Sequence, residues 1–157
     1  MGADRPDPYT LTLTDNINEA DHAYILERLL AFNIEHSEAY RQLRTPEHAA
    51  QPLEVFLRDE SGTIVGGLIA ETFWGWLCIY KLWLDARLRG GGYGTKLMQA
   101  AEDEARRRGC RFSRLDTYGY QARGFYEKLG YRAVGVIEGY PPGSAEYYLR
   151  KDFEGYR

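Results

Sequence analysis

Cysteine is nearly missing from this chain. The two present, Cys78 and Cys110, are too few for a disulfide framework and have no metal-ligand spacing. Histidine is as sparse, and His22, His36 and His48 fall into no zinc-site pattern. A net charge of −3 excludes the broad basic field of a nucleic-acid-binding chain. No apolar run approaches the ~20 residues that cross a bilayer. The opening MGADRPDPYT has no basic-then-apolar leader, and Pro6 occupies the position where an N-myristoylation motif carries Ser or Thr. These absences lead to the expectation of a cytoplasmic protein with reduced thiols, no metal, and neither nucleic acid nor membrane as partner.

Two residue types are plentiful. Glycine occurs 17 times and tyrosine 13 times in 157 residues. The glycine count is well above the roughly 7% average, so its distribution carries information. The length suits one domain over 1–157, with the polar, Pro-bearing residues 1–8 expected to be flexible.

Periodicity gives the order of elements. Thr10–Thr14 alternates Thr and Leu, which predicts a half-buried strand. Ile25, Leu26, Leu29, Leu30 and Phe32 recur at helical spacing behind N-cap candidates at Asp15 to Asn18, predicting a helix over roughly 18–34. Residues 35–50 read as a second helix or a loop. Strands are predicted at Leu53–Arg58, Thr63–Phe73 and Trp76–Asp85, the last apolar enough to be central. An amphipathic helix over 95–108 closes at Gly109. A strand at 111–117, a short helix at 121–129 and a final pair at 131–138 and 145–151 complete the chain. The order predicts a mixed α+β sheet, mostly antiparallel, with one parallel crossover through helix 95–108.

The densest glycine cluster, Arg89-Gly90-Gly91-Gly92-Tyr93-Gly94, lies between the central strand and that helix. Glycines let successive backbone N–H groups turn to one point, and the helix start adds about half a positive charge. Arg89 adds a cation with a planar fork. A pyrophosphate suits such a site. The P-loop pattern fails, because Thr95 stands where its second glycine belongs, and the dinucleotide pattern lacks its third glycine at Leu97.

What fits is R-x-x-G-x-G at Arg89, Gly92 and Gly94 behind the strand Leu82-Trp83-Leu84. Downstream, Ala122-Arg123-Gly124-Phe125-Tyr126-Glu127-Lys128-Leu129-Gly130-Tyr131 matches a second motif. In this pairing the sequence resembles the GNAT superfamily of N-acetyltransferases over roughly residues 53–151. The resemblance implies a three-layer α/β arrangement: a twisted sheet of six to seven strands, helices on its faces and a splayed central strand. It implies acetyl-coenzyme A as cosubstrate. Leu82, Trp83, Leu84, Arg89, Gly90, Gly91, Gly92, Tyr93, Gly94, Thr95, Gln121, Phe125 and Tyr126 would line the coenzyme site. Gln121 lies near the position where many members carry Asn, and Tyr80-Lys81 occupies strand positions that are often acidic.

Acyl transfer to an amine needs a donor hydrogen bond to the carbonyl oxygen, a proton for the departing thiolate, and a neutral amine. The resemblance assigns the first to the backbone N–H of Leu84 or a neighbour, and the second to Tyr126. It also pairs the backbones of Leu82 and Trp83 with the pantetheine arm. Glu71 is the first candidate for the base, with Glu38 and His36 behind it. The acceptor is expected to be a small-molecule or peptide amine, taken by direct transfer in a ternary complex. Glu35, Tyr40, Tyr140, Glu146, Tyr147 and Tyr148 stand in the segments that usually frame the acceptor. A non-catalytic acyl-coenzyme A sensor, or transfer of another acyl group, would use the same loop. A homodimer is among the assemblies the resemblance implies.

Overall fold

A computed structural model describes residues 8–153. The expected flexibility of residues 1–8 falls almost entirely outside that range. The chain forms two compact units, one running to Arg44 and the other beginning at Thr45.

The first unit is helical. Helix α1 spans Glu19–His36 and is capped by Asn18, whose side chain accepts from the N–H groups of Ala20 and Asp21 at 3.0 and 3.3 Å. Such a cap satisfies two of the amides that a helix start leaves without partners. Ser37 ends α1 and in turn caps α2, Glu38–Gln42, through its hydroxyl. The strand expected at Thr10–Thr14 is not formed, and Leu11 and Leu13 are exposed. The reason is physical. Alternation supplies an apolar edge, but a strand also needs a neighbour for its N–H and C=O groups, and 10–14 has none among the described residues.

The second unit carries the sheet. Its strands are β1 (Gln51–Arg58), β2 (Ile64–Phe73), β3 (Trp76–Leu84), β4 (Phe112–Tyr118), β5 (Arg132–Glu138) and β6 (Ala145–Asp152). Their spatial order is β1-β2-β3-β4-β6-β5. Every neighbouring pair is antiparallel except β3 and β4. That parallel pair is linked by α3, Tyr93–Arg107, as the predicted crossover requires. A short helix α4, Arg123–Lys128, joins β4 to β5.

Helix α3 turns Leu97, Met98, Ala101 and Ala105 inward, and the last three join Leu68, Ala70, Leu77, Ile79, Leu115 and Leu149 from the strands. Glu102 shares this buried face and is only 3% exposed. A buried carboxylate is tolerated only when paired. Glu102 accepts from Lys151 Nζ of β6 at 2.6 Å, from Arg106 at 3.3 Å and from the Tyr131 hydroxyl at 3.1 Å. The same hydroxyl lies 2.7 Å from Ser113 Oγ of β4. At the C-cap of α3, Arg108 donates to the Pro52 carbonyl at 3.0 Å and to Thr72 at 3.3 Å. The crossover helix is thereby fixed to both halves of the sheet.

Two irregularities shape the centre. The β2–β3 register shifts so that Ile69 faces Lys81 while Ala70 faces Ile79. Tyr80 is the extra residue, a β-bulge that bends its strand. The parallel pairing of β3 with β4 runs only from Trp76–Phe112 to Cys78–Arg114. Beyond that point the two strands part, so the splay expected of the central strand is present.

Candidate active site

The gap between the parted strands is a cleft of about 850 Å³. One wall is β3 from Ile79 to Leu84, continuing into Arg89, Gly90, Gly92, Gly94 and Thr95. The other is β4 from Leu115 to Tyr118, then Tyr120, Gln121, Ala122, Phe125 and Tyr126.

Backbone direction along β3 follows from one bond. The Asp85 N–H donates to the Val65 carbonyl at 2.9 Å. In an antiparallel pair, successive residues point alternately at the partner and away from it. Trp83 and Lys81 therefore spend their backbone groups on β2, while those of Leu84 and Leu82 face the gap. The Leu84 carbonyl shows this, because Arg89 Nε reaches it at 3.4 Å. Trp83 lines the cleft, with its amide directed into the ladder with β2.

The glycine loop presents free helix-start amides and one cation to the cleft. A 3₁₀ turn at Ala86–Leu88 is capped by Asp85, which also binds the Arg87 guanidinium. That pairing holds the Asp85 carboxyl down at about 2. Gly90 and Gly92 have φ of 78° and 79°, a region that a Cβ makes costly. Gly92 is the N-cap of α3, and no side chain caps that first turn. Its amides remain available for an anion, as the loop pattern predicts. Arg89 forms no salt bridge among the described residues. The loop therefore fits a pyrophosphate. Gly94 serves packing, because a Cβ there would come within 3.2 Å of the Phe125 ring. Gly91 and Tyr93 do not line the cleft. Tyr93 borders a smaller cavity of about 280 Å³ with Leu57, Val65 and Leu88.

Tyr126 sits on α4 with 8% of its surface exposed. Its ring is held edge-on by Phe125 at 5.1 Å and by Tyr131 at 6.1 Å between centroids. Burial, with a smaller push from the negative charge of Asp116, raises its phenol to about 12. Gln121 lines the cleft, but its carbonyl oxygen is used internally. It accepts from the Tyr118 N–H at 2.9 Å and the Thr117 hydroxyl at 3.1 Å, bracing the turn into α4.

Glu71 is not among the residues that line this cleft, but it touches one that does. It lies on β2 and accepts a hydrogen bond from the Tyr80 hydroxyl at 2.5 Å, and Tyr80 lines the gap. That bond, with lesser burial, raises the Tyr80 phenol to about 12. Glu38 and His36 belong to the first unit and are used locally. Glu38 binds Arg41 at 2.7 Å, and His36 stacks on Phe32 at 4.0 Å. Cys78 and Cys110 are buried and line no part of the cleft. Asp116 is the residue the sequence reading passed over. Its signal was parity: in Phe112–Tyr118, the residues Arg114, Asp116 and Tyr118 share one face.

No helix among the described residues is long and apolar enough to cross a membrane. The sequence pattern of the acetyltransferase (GNAT) family matches residues 17–131. Over 132 residues, 81% of this chain and 97% of the relative, the sequence is 43% identical to a blasticidin-S acetyltransferase of Streptomyces morookaense. It is 33% identical to an acetyltransferase of Agrobacterium fabrum over 73% of this chain and 84% of that one. A crystal structure of an acetyltransferase from Bacillus cereus superposes with a TM-score of 0.77 at 29% identity, covering 90% of this chain and 98% of that one. The parted parallel strands, the R-x-x-G-x-G cradle and these similarities together make this chain a member of the GNAT family of acetyltransferases.

Proposed function

We propose that this enzyme moves an acetyl group from acetyl-coenzyme A to a primary amine of a small molecule by direct transfer, with blasticidin S the first acceptor to test. One observation carries the reading: the pyrophosphate-type cradle and the Tyr126 side chain line the same cleft. The coenzyme, when bound, supplies the activated acetyl thioester. Residues of the chain hold it, polarise its carbonyl and protonate the leaving sulfur, and the amine attacks in its neutral form, having given its proton to solvent.

Arg89 and the amides at the start of α3 hold the diphosphate. Gly90 and Gly92 keep that surface free of side chains. The gap-facing backbones of Leu82 and Leu84 pair with the extended arm as a strand would. The Leu84 N–H donates to the carbonyl oxygen as it gains charge, a contribution worth about 3–4 kcal/mol where one such donor is removed. Tyr126, neutral at physiological pH, donates its proton to the leaving sulfur. Glu71 holds Tyr80 at the bulge. Direct transfer is favoured over a cysteine relay because both thiols are buried, and burial pushes the Cys110 thiol up.

Release of free thiol from acetyl-coenzyme A, followed with blasticidin S present and absent, tests the reading. Acceptor-dependent release is expected. Tight coenzyme binding with no release across a panel of amines would instead identify a sensor.

A further inference from the structure

The cleft has opposite charge on its two walls. Lys81 and Arg89 belong to the β3 side, while Asp116 on β4 is the only carboxylate among the described lining residues. Asp116 forms no salt bridge or hydrogen bond among them. The cations that share its face have other partners. Arg114 Nε donates to Cys78 Sγ at 3.3 Å. Arg150 pairs with Asp152 and lies over the Trp76 and Phe112 rings, 5.0 and 4.7 Å from their centroids.

The surroundings of Asp116 are aromatic. Tyr148 stands directly opposite it in the β4–β6 register. The Tyr148 hydroxyl is turned to Glu146 at 2.8 Å. Tyr80, Tyr118, Tyr120 and Tyr126 line the same cleft, and the Tyr118 and Tyr120 rings are stacked at 5.5 Å. A carboxylate among tyrosine faces suits an ammonium twice over, through a charge-assisted hydrogen bond and through cation–π attraction.

We propose that Asp116 binds the acceptor's ammonium group and that the stacked Tyr118 and Tyr120 take a planar ring attached to it. The acceptor class is then a cationic primary amine on an aromatic or heterocyclic body. Asp116 acts as a specificity-determining residue: it selects the ammonium form on the β4 wall, and the nitrogen attacks only after that proton has passed to solvent. The proposal rests on the reading of the protein as an amine acetyltransferase.

Binding alone tests it. Phenethylamine and 2-phenylethanol differ by an ammonium against a hydroxyl. Each is titrated into the ¹⁵N-labelled protein and followed by amide shifts. The amine is expected to move the Asp116, Tyr118 and Tyr120 amides and to bind at least tenfold more tightly than the alcohol. In Asp116→Asn the two should bind alike, and in Asp116→Glu the preference should return, with spectra elsewhere unchanged in both variants. Equal affinities in the wild type, a preference that survives Asp116→Asn, shifts confined to another surface, or binding of neither compound would overturn it. Glu71→Gln is the comparison: loss of the preference there, with Asp116→Asn unaffected, assigns the ammonium to Glu71 instead. Failure to acetylate blasticidin S would count against the choice of acceptor and leave this binding preference standing.

Discussion

The Tyr126 ring stands edge-on to the Tyr131 ring, their centroids 6.1 Å apart and their planes inclined at 70°. Tyr131 is tied in turn to Ser113 and Glu102. The proposed acid is thus braced by a buried hydrogen-bonded network while its side chain lines the cleft. Tyr126→Phe keeps the ring and its packing and removes only the proton. Turnover should fall about 10²-fold or more, the usual worth of a positioned acid. Coenzyme affinity, read by calorimetry, should stay within about twofold. Undiminished kcat would remove Tyr126 as the proton donor.

The raised phenol also predicts a pH effect on stability. An unfolded tyrosine ionises near ~10, whereas Tyr126 stays neutral until about 12. The unfolded state therefore gains charge first. Tyr126 contributes stability that is complete below pH ~10 and lost as pH rises toward 12, by about 2–3 kcal/mol in all. Urea unfolding between pH 9 and 11.5 should show that decline, with a shallower slope in Tyr126→Phe. Equal slopes would mean the phenol is not shifted.

Arg89 reaches the Leu84 carbonyl through Nε at 3.4 Å and has no acidic partner among the described residues. Replacing it with alanine should weaken coenzyme A binding about 10- to 100-fold, the loss of a charge-assisted hydrogen bond. Arg89→Lys should recover part of that, since a point charge remains without the planar fork. Unchanged affinity in Arg89→Ala would sink the assignment of the loop.

Gly94 faces the Phe125 ring, where a methyl group would lie 3.2 Å from Cζ. Gly94→Ala must push α4 or the ring aside, at a cost of about 1–3 kcal/mol. Thermal unfolding should show a midpoint several degrees lower. Because Tyr126 adjoins Phe125 on that helix, turnover should fall more than coenzyme affinity does. An unshifted midpoint would show that the ring gives way freely.

Much of this was legible in the chain. Amphipathic spacing located α3, and the apolar run Trp76–Leu84 announced a central strand. The loop from Arg89 to Gly94 was readable as a turn presenting amides and a cation, because glycine and arginine there are local backbone and charge effects. Thr10–Thr14 misled, since alternation reports one face and is silent about a pairing partner. Glu71 and Asp116 were harder for a related reason. Which carboxylate reaches the cleft depends on the bulge at Tyr80 and on where β3 and β4 separate, and both are long-range register facts. Helix α3 begins at Tyr93, two residues before its predicted start, because the left-handed Gly92 can itself serve as the cap.

The parting of β3 from β4 has a thermodynamic side. It puts two strand edges in the middle of a sheet, a feature most proteins confine to the margin and then guard. A ligand that pairs with such an edge joins the sheet and stabilises the native state by mass action, by about 2.7 kcal/mol at a concentration 100 times its Kd. Binding at that edge therefore adds an increment to the stability the fold has without ligand. A melting temperature that climbs with coenzyme concentration is the expected sign of such pairing.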